Sequence, residues 1–180
     1  MTRPDTASAL QALLDKQAIT EVLHRFCRGA DRRDWELIRG CYHPDATDDH
    51  ALYSGPRDGF IDWLTEFMAG CVATRHSVTN ALIQLGGDTA GCESYVEAWH
   101  LLSPDHDGEP ATELIAGARY VDRFERRDGE WRITSRIVVI DRAATTPCTP
   151  APDLGPDAVL GRAGPEDLSY LVLPAPLQRA

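Results

Sequence analysis

From Ser8 to Gly29 apolar side chains return at three- and four-residue steps: Leu10, Leu13, Leu14, Ile19, Val22, Leu23, Phe26, Cys27 and, just beyond, Ala30. That period puts them on one stripe of a helix, with Thr6 or Ser8 placed to cap its start. Asp34-Trp35-Glu36-Leu37-Ile38 predicts a second, short helix with Asp34 as its cap, and His43-Pro44-Asp45 ends it. Residues 46–53 read as a short strand or edge segment. Phe60, Ile61, Trp63, Leu64, Phe67 and Met68 restore the helical period over about 57–70.

Beyond Gly70 the period changes to two. Segments 73–85, 90–103, 112–127 and 130–142 are long strand candidates. Gly86-Gly87-Asp88 and Arg127-Asp128-Gly129-Glu130 supply hairpin turns, and Ser103 to Pro110 a longer polar loop. Helices followed by an antiparallel meander predict an α+β fold with the helices on one sheet face. From Ala143 onward the chain carries seven of its twelve prolines. That is too many for sheet, so the expected division is a domain over 1–142 and a proline-rich arm over 143–180. Leu168, Tyr170, Leu171, Val172 and Leu173 suggest that the arm docks.

Composition narrows the picture. A chain of 180 residues is long enough to bury a core without a disulfide or metal staple. No run of about 18 apolar residues is present, and the first ten residues lack a signal-peptide core. A soluble, cytoplasmic protein is the expectation. The net charge is −10, and acidic residues interrupt the one basic cluster (Arg119, Arg123, Arg126, Arg127), so neither nucleic acid nor a membrane is an expected partner. Five cysteines, Cys27, Cys41, Cys71, Cys92 and Cys148, show no CxxC and no zinc spacing. They read as free, mostly buried thiols, with no metal site. There is also no glycine motif of the kind that holds a nucleotide, so no cofactor is expected.

Candidate chemistry lies where polar residues interrupt apolar faces. One face of strand 73–85 carries His76, Val78, Asn80, Leu82 and Gln84, as a pocket lining would. Val96, Ala98 and His100 share a face of the next strand, and Arg136, Val138 and Ile140 a face of the last. Asp31 lies four residues past Cys27 on the apolar stripe of the first helix. A buried carboxylate needs a donor, which His76 or an arginine supplies. His43, Asp45, Asp48, Asp49 and His50 read as a solvated acidic edge, not a metal cluster. His24 reads as a helix-surface residue and His106 as a loop residue.

RFCRGADRRDW around Asp31, RHSVTN with His76 and Asn80, and GARYVDRFERRDGEWRI with Tyr120, followed by Arg136, resemble the SnoaL-like, nuclear transport factor 2-like superfamily. Within it the chain is similar to the branch of scytalone dehydratase, hexachlorocyclohexane dehydrochlorinase and the bile acid 7α-dehydratases. The resemblance spans about residues 10–142. It implies a cone-shaped α+β barrel whose curved, mostly antiparallel sheet and N-terminal helices enclose a pocket. It implies an Asp31–His76 dyad, with Arg136 supporting the site. Asn80, Val96, Ala98, His100, Tyr120 and Tyr53 are then candidates to line the pocket. Tyr42 and Tyr53 are possible hydroxyl donors. For His100 a rim position is expected, with the second histidine of the pocket as the alternative.

Histidine suits proton abstraction from carbon because its pKa lies near working pH. A carboxylate on its far nitrogen fixes the tautomer and stabilises the imidazolium. The reading that follows is a cofactor-free lyase of dehydratase or dehydrohalogenase type acting on a cyclic, apolar small molecule. The alternatives are an isomerase or cyclase of ketosteroid or polyketide type, and a non-catalytic module such as the small subunit of a ring-hydroxylating dioxygenase. The related dehydratases imply a homo-oligomer, a trimer before a dimer.

Overall fold

The computed structural model describes residues 5–104, 110–148, 152 and 154–173. The expectation for His106 lies outside them. Helix α1 spans Thr6–Arg32, α2 Trp35–Cys41 and α3 Arg57–Ala69. Strands are β1 Tyr42–Asp49, β2 Ser54–Pro56, β3 Cys71–Gly86, β4 Thr89–Leu102, β5 Thr112–Arg127 and β6 Glu130–Pro147. The N-cap of α1 is Asp5, one residue before the expected Thr6, and its side chain accepts from the Ser8 amide at 2.9 Å.

The sheet order is β2-β1-β6-β5-β4-β3. All neighbours are antiparallel except β1 and β6, which run parallel. The fold is thus the expected α+β cone, built on a curved sheet that stays open. Both hairpin turns fall where Gly-Asp and Asp-Gly predicted them. Gly87, Asp128 and Gly129 have positive φ, the geometry that tight primed turns require.

α1 lies across the concave face. Ile19, Val22, Leu23, Phe26, Cys27 and Ala30 are buried against Tyr120, Phe124, Ile133 and Val138 of the sheet. The first turns overrun the sheet, so Leu10, Leu13 and Leu14 remain exposed. Asp15, buried, fixes this helix to the β5–β6 hairpin. It accepts from Arg126 Nη1 at 2.8 Å and Trp131 Nε1 at 3.0 Å. Near the other end, a side chain at Gly29 would sit 2.6 Å from Ile38, so glycine permits α1 and α2 to meet closely. Arg119, Arg126 and Arg127 of the basic cluster each pair with carboxylates.

The arm differs from expectation in two ways. Residues 143–147 belong to β6, paired with β5 from Ala116↔Ala143 to Thr112↔Pro147. β1 pairs with β6 only as far as Ile137, so this half of β6 is an edge, where a terminal proline is tolerated. Further on, the arm docks through polar groups. Arg32 pairs with Asp167 at 3.3 Å, Arg28 Nη1 donates to Ser169 at 3.0 Å, and the Gly164 amide donates to the Arg32 carbonyl at 2.9 Å. Tyr170 lies under the Arg28 guanidinium, 4.7 Å away. Leu168, Leu171, Val172 and Leu173 stay exposed.

Candidate active site

Asp31 sits in the last turn of α1 and reaches the facing strand β3. Its Oδ1 lies 2.8 Å from His76 Nδ1 and accepts from Thr74 Oγ1 at 3.2 Å, while Oδ2 accepts from the His76 amide at 3.1 Å. Three donors replace the water that this carboxylate loses. The His76 and Asp31 side chains are only 6% and 14% exposed. With a carboxylate at Nδ1, that nitrogen carries the proton and Nε2 keeps its lone pair. Nε2 makes no hydrogen bond to a described residue. The strand's alternation directs Thr74, His76 and Val78 inward, and the αL cap at Arg33 (φ 53°) ends the helix just past Asp31.

His100 is buried, not at the rim. Cross-strand pairing sets it opposite Thr74, one step from the His76↔Ala98 pair. Its ring lies edge-on to His76 at 5.3 Å and to Phe67 at 5.3 Å. Burial, and then the neighbouring His76, push its pKa down to about 4, so the ring is neutral at neutral pH. Nδ1 is buried with no partner among the described residues.

Arg136 is fully buried on β6. It grips Asp122 of β5 through Nε and Nη2, each at 2.8 Å. Its guanidinium stands 3.9 Å from the Tyr120 ring centroid and 4.3 Å from Phe26. Its Nη1 has no partner among the described residues. The contacts therefore make it first a brace of the concave wall, with one N–H left over. Burial holds the Tyr120 and Tyr42 hydroxyls well above the ordinary phenol range, so both stay protonated. Tyr42 and Tyr53 are not free donors: Tyr42 donates to Asp48 at 2.6 Å and Tyr53 to the Pro56 carbonyl at 2.7 Å.

Val96 is buried and Ala98 half-buried on the inner face. Asn80 is not part of that lining. A register shift between Thr79 and Leu82 marks a bulge, where Asn80 is exposed with φ 51°. The extra residue flips the faces that follow, so Ile83 turns inward and Leu82 outward. Ile140 keeps the face of Ala118 but remains 43% exposed.

The acidic edge reading fails for three of its five residues. His43 and Asp48 are buried, and His50 is partly covered. His50 Nδ1 lies 3.1 Å from Asp48 Oδ1, and its ring stacks on Phe60 at 5.0 Å. The burial alternation of β1, with Ala46 and Asp48 both inward, is the signal that places Asp48. Along α3, Phe60, Trp63 and Phe67 stack in sequence at 6.1 and 5.7 Å and form an aromatic wall. Among the described residues no group of three or more His, Cys, Asp or Glu is placed to hold a metal ion. Burial pushes the Cys27 thiol, one turn before Asp31, up to about 12, which rules it out as a thiolate nucleophile.

A model of the SnoaL-like domain matches residues 11–137 of the chain. Comparison with curated proteins finds no match. Among solved structures, hexachlorocyclohexane dehydrochlorinase (LinA) type 2 is 19% identical with a TM-score of 0.69, covering 83% of this chain and 99% of its own. A scytalone dehydratase-like protein from Novosphingobium aromaticivorans is 19% identical with a TM-score of 0.65, covering 78% and 91%. Kfla4162 from Kribbella flavida is 20% identical with a TM-score of 0.67, covering 74% and 95%. At these identities the likeness is one of fold.

Proposed function

The chain belongs to the SnoaL-like domain family, and from that premise we propose that it is a cofactor-free small-molecule lyase, of dehydratase or dehydrohalogenase type, acting on a cyclic apolar substrate. The observation that carries the reading is the 2.8 Å contact between Asp31 and His76, with Nε2 unbonded among the described residues. His76 Nε2 takes a proton from an activated carbon. The released electron pair forms the new double bond and expels the group on the adjacent carbon. Asp31 stabilises the imidazolium as it forms. Tyr120 and the Arg136 Nη1–H are the donors offered to the developing negative charge. The aromatic wall of α3 suits a ring.

The test is a panel of cyclic ketones bearing β-hydroxy, β-halo or β,γ-unsaturated groups, followed by product analysis. Loss of the β-group supports elimination, and migration of the double bond supports the isomerase alternative. His76→Ala should lose about 10²–10⁴ of the turnover with the fold intact by circular dichroism. Asp31→Asn should lose less. Wild-type turnover in His76→Ala would remove His76 as the base, and no turnover of any panel member by wild type would favour the non-catalytic module. Assembly as a homo-oligomer, a trimer before a dimer, belongs to the same reading. Tyr95, Val121 and Ile137, exposed on the outer sheet face, support it, and a monomer by light scattering would contradict it. No described helix is long and apolar enough to cross a membrane. A cytoplasmic site of action is part of the proposal, in keeping with the free cysteines.

A further inference from the structure

We propose that Asp48 and His50 form a second carboxylate–histidine pair acting on the same bound molecule as Asp31 and His76, with His50 delivering a proton to a departing hydroxyl. The inference rests on the elimination reading above. It narrows the substrate class to alcohols that lose water, as against halides.

The geometry repeats that of the first dyad. Asp48 is 1% exposed. Its Oδ2 accepts from the fully buried Tyr42 hydroxyl at 2.6 Å, and its Oδ1 meets His50 Nδ1 at 3.1 Å. A carboxylate there keeps Nδ1 protonated and stabilises the imidazolium. His50 Nε2 has no hydrogen-bond partner among the described residues. The His50 side chain keeps 21% exposure against 6% for His76, so it has the better access to solvent for recovering a proton.

His50 packs on the aromatic wall of α3, and His76 adjoins the far end of that wall through His100. His50 packs on Phe60 and stands 5.7 Å from Trp63 and 6.4 Å from Tyr120. Trp63 stacks on Phe67, Phe67 meets the His100 edge at 5.3 Å, and His100 meets His76 at 5.3 Å. The stripe from Phe60 to Phe67 is about 10 Å long at the rise of a helix. His50 thus stands at one end of an aromatic strip and His76 at the other.

Two histidines at separate ends solve a leaving-group problem. A halide departs with its electron pair and needs no proton. Hydroxide is a far poorer leaving group, and a positioned acid assists it by about 10²–10⁴. In the proposed step His76 Nε2 takes the proton from carbon, and the C–H pair becomes the π bond. The C–O bond breaks with its pair on oxygen, and oxygen takes the His50 Nε2 proton to leave as water. His76 ends protonated and His50 neutral. A proton returning through water resets them, with no oxidant, reductant or metal required.

The alternative is a purely structural brace for the turn after β1. Leaving-group dependence separates the two, because a brace would affect all substrates alike. Paired β-hydroxy and β-acetoxy derivatives of cyclohexanone and of 1-tetralone give the same product on each ring. Acetate, however, leaves without an acid. Conjugated product is followed by ultraviolet absorbance with wild type, His50→Gln, Asp48→Asn and His76→Gln, each checked by circular dichroism. Wild type should convert both members of a pair. His76→Gln should lose both. His50→Gln should raise the acetoxy-to-hydroxy rate ratio by about 30-fold or more, and Asp48→Asn should raise it less. Should His50→Gln not fold, the Asp48→Asn ratio decides. An unchanged ratio in the folded variants overturns the proposal. Conversion of acetates alone by wild type overturns it while elimination stands. Conversion of neither overturns the elimination reading and this inference with it.

Discussion

Lowering the pH should unfold the protein through His100, and replacing that one side chain should remove the effect. In the folded state its pKa is about 4 against an ordinary 6.5, because the ring is buried and faces His76. The difference is worth about 3 kcal/mol. The unfolded chain binds this proton below about 6.5 and the folded chain only below about 4, so between those values the unfolded state holds more protons. Stability therefore rises with pH across the window. The contribution is complete above about pH 6.5, and about 2.5 kcal/mol of it is gone by pH 4.5. The ring faces His76, with Asp31 behind it, and Phe67; the Leu114 backbone and Asp31 pull its pKa back up, and His50 adds to the lowering. His100→Leu fills a similar volume without a titrating group. The assay is urea unfolding followed by tryptophan fluorescence at pH 7.0, 6.0, 5.0 and 4.5, with the free energy extrapolated to water. The variant should match or fall slightly below wild type at pH 7.0 and exceed it at pH 4.5. Wild-type and variant curves that run parallel across the window would refute the reasoning.

Arg136→Met strands the buried Asp122 carboxylate and should cost about 3–5 kcal/mol in urea unfolding, while the double variant with Asp122→Leu should recover most of that loss. A double variant costing as much as the sum of the singles would show the pair to be uncoupled. Asn80→Val places a β-branched residue at φ 51° and should cost about 1–2 kcal/mol, whereas Asn80→Gly should be neutral or better. Equal stability of the two variants by thermal unfolding would argue against the bulge.

The elements were legible because their periods are strong. Two of the three N-terminal helices carry apolar residues at helical steps, and the four long strands are separated by a Gly-Asp turn, a polar loop and an Asp-Gly turn. From the residues alone Asp31 needed a donor that His76 or an arginine could supply; the family resemblance singled out His76, and the two side chains meet at 2.8 Å. What escaped has physical causes. The bulge at Thr79–Leu82 inserts one residue, so strict parity counted through it puts Asn80 on the His76 face, although the run Ala81-Leu82-Ile83 is where the alternation fails. Asp48 and His50 lie among other acids at the end of a short strand, where composition suggests solvent. Their burial is made tolerable by the Tyr42 hydroxyl on Asp48, a contact between residues six apart, together with the Asp48–His50 contact itself. Pro147 argued against strand at 143–147, yet it stands at the end of an edge, where its missing N–H costs little. The arm's leucines suggested an apolar dock, but the described contacts are polar, among them those of Asp167, Ser169 and Tyr170 with Arg28 and Arg32.

The central claim is that His76, held by Asp31, removes a proton from carbon. Hydrogen–deuterium exchange at the α-carbon of cyclohexanone and 1-tetralone in buffered D₂O, followed by proton NMR, reads that step without any leaving group. Wild type should wash deuterium into at least one of the two ketones well above the buffer rate, Asp31→Asn should do so more slowly, and folded His76→Gln should add nothing to buffer. Exchange at the wild-type rate in His76→Gln, or no exchange by wild type on either ketone, would contradict the account.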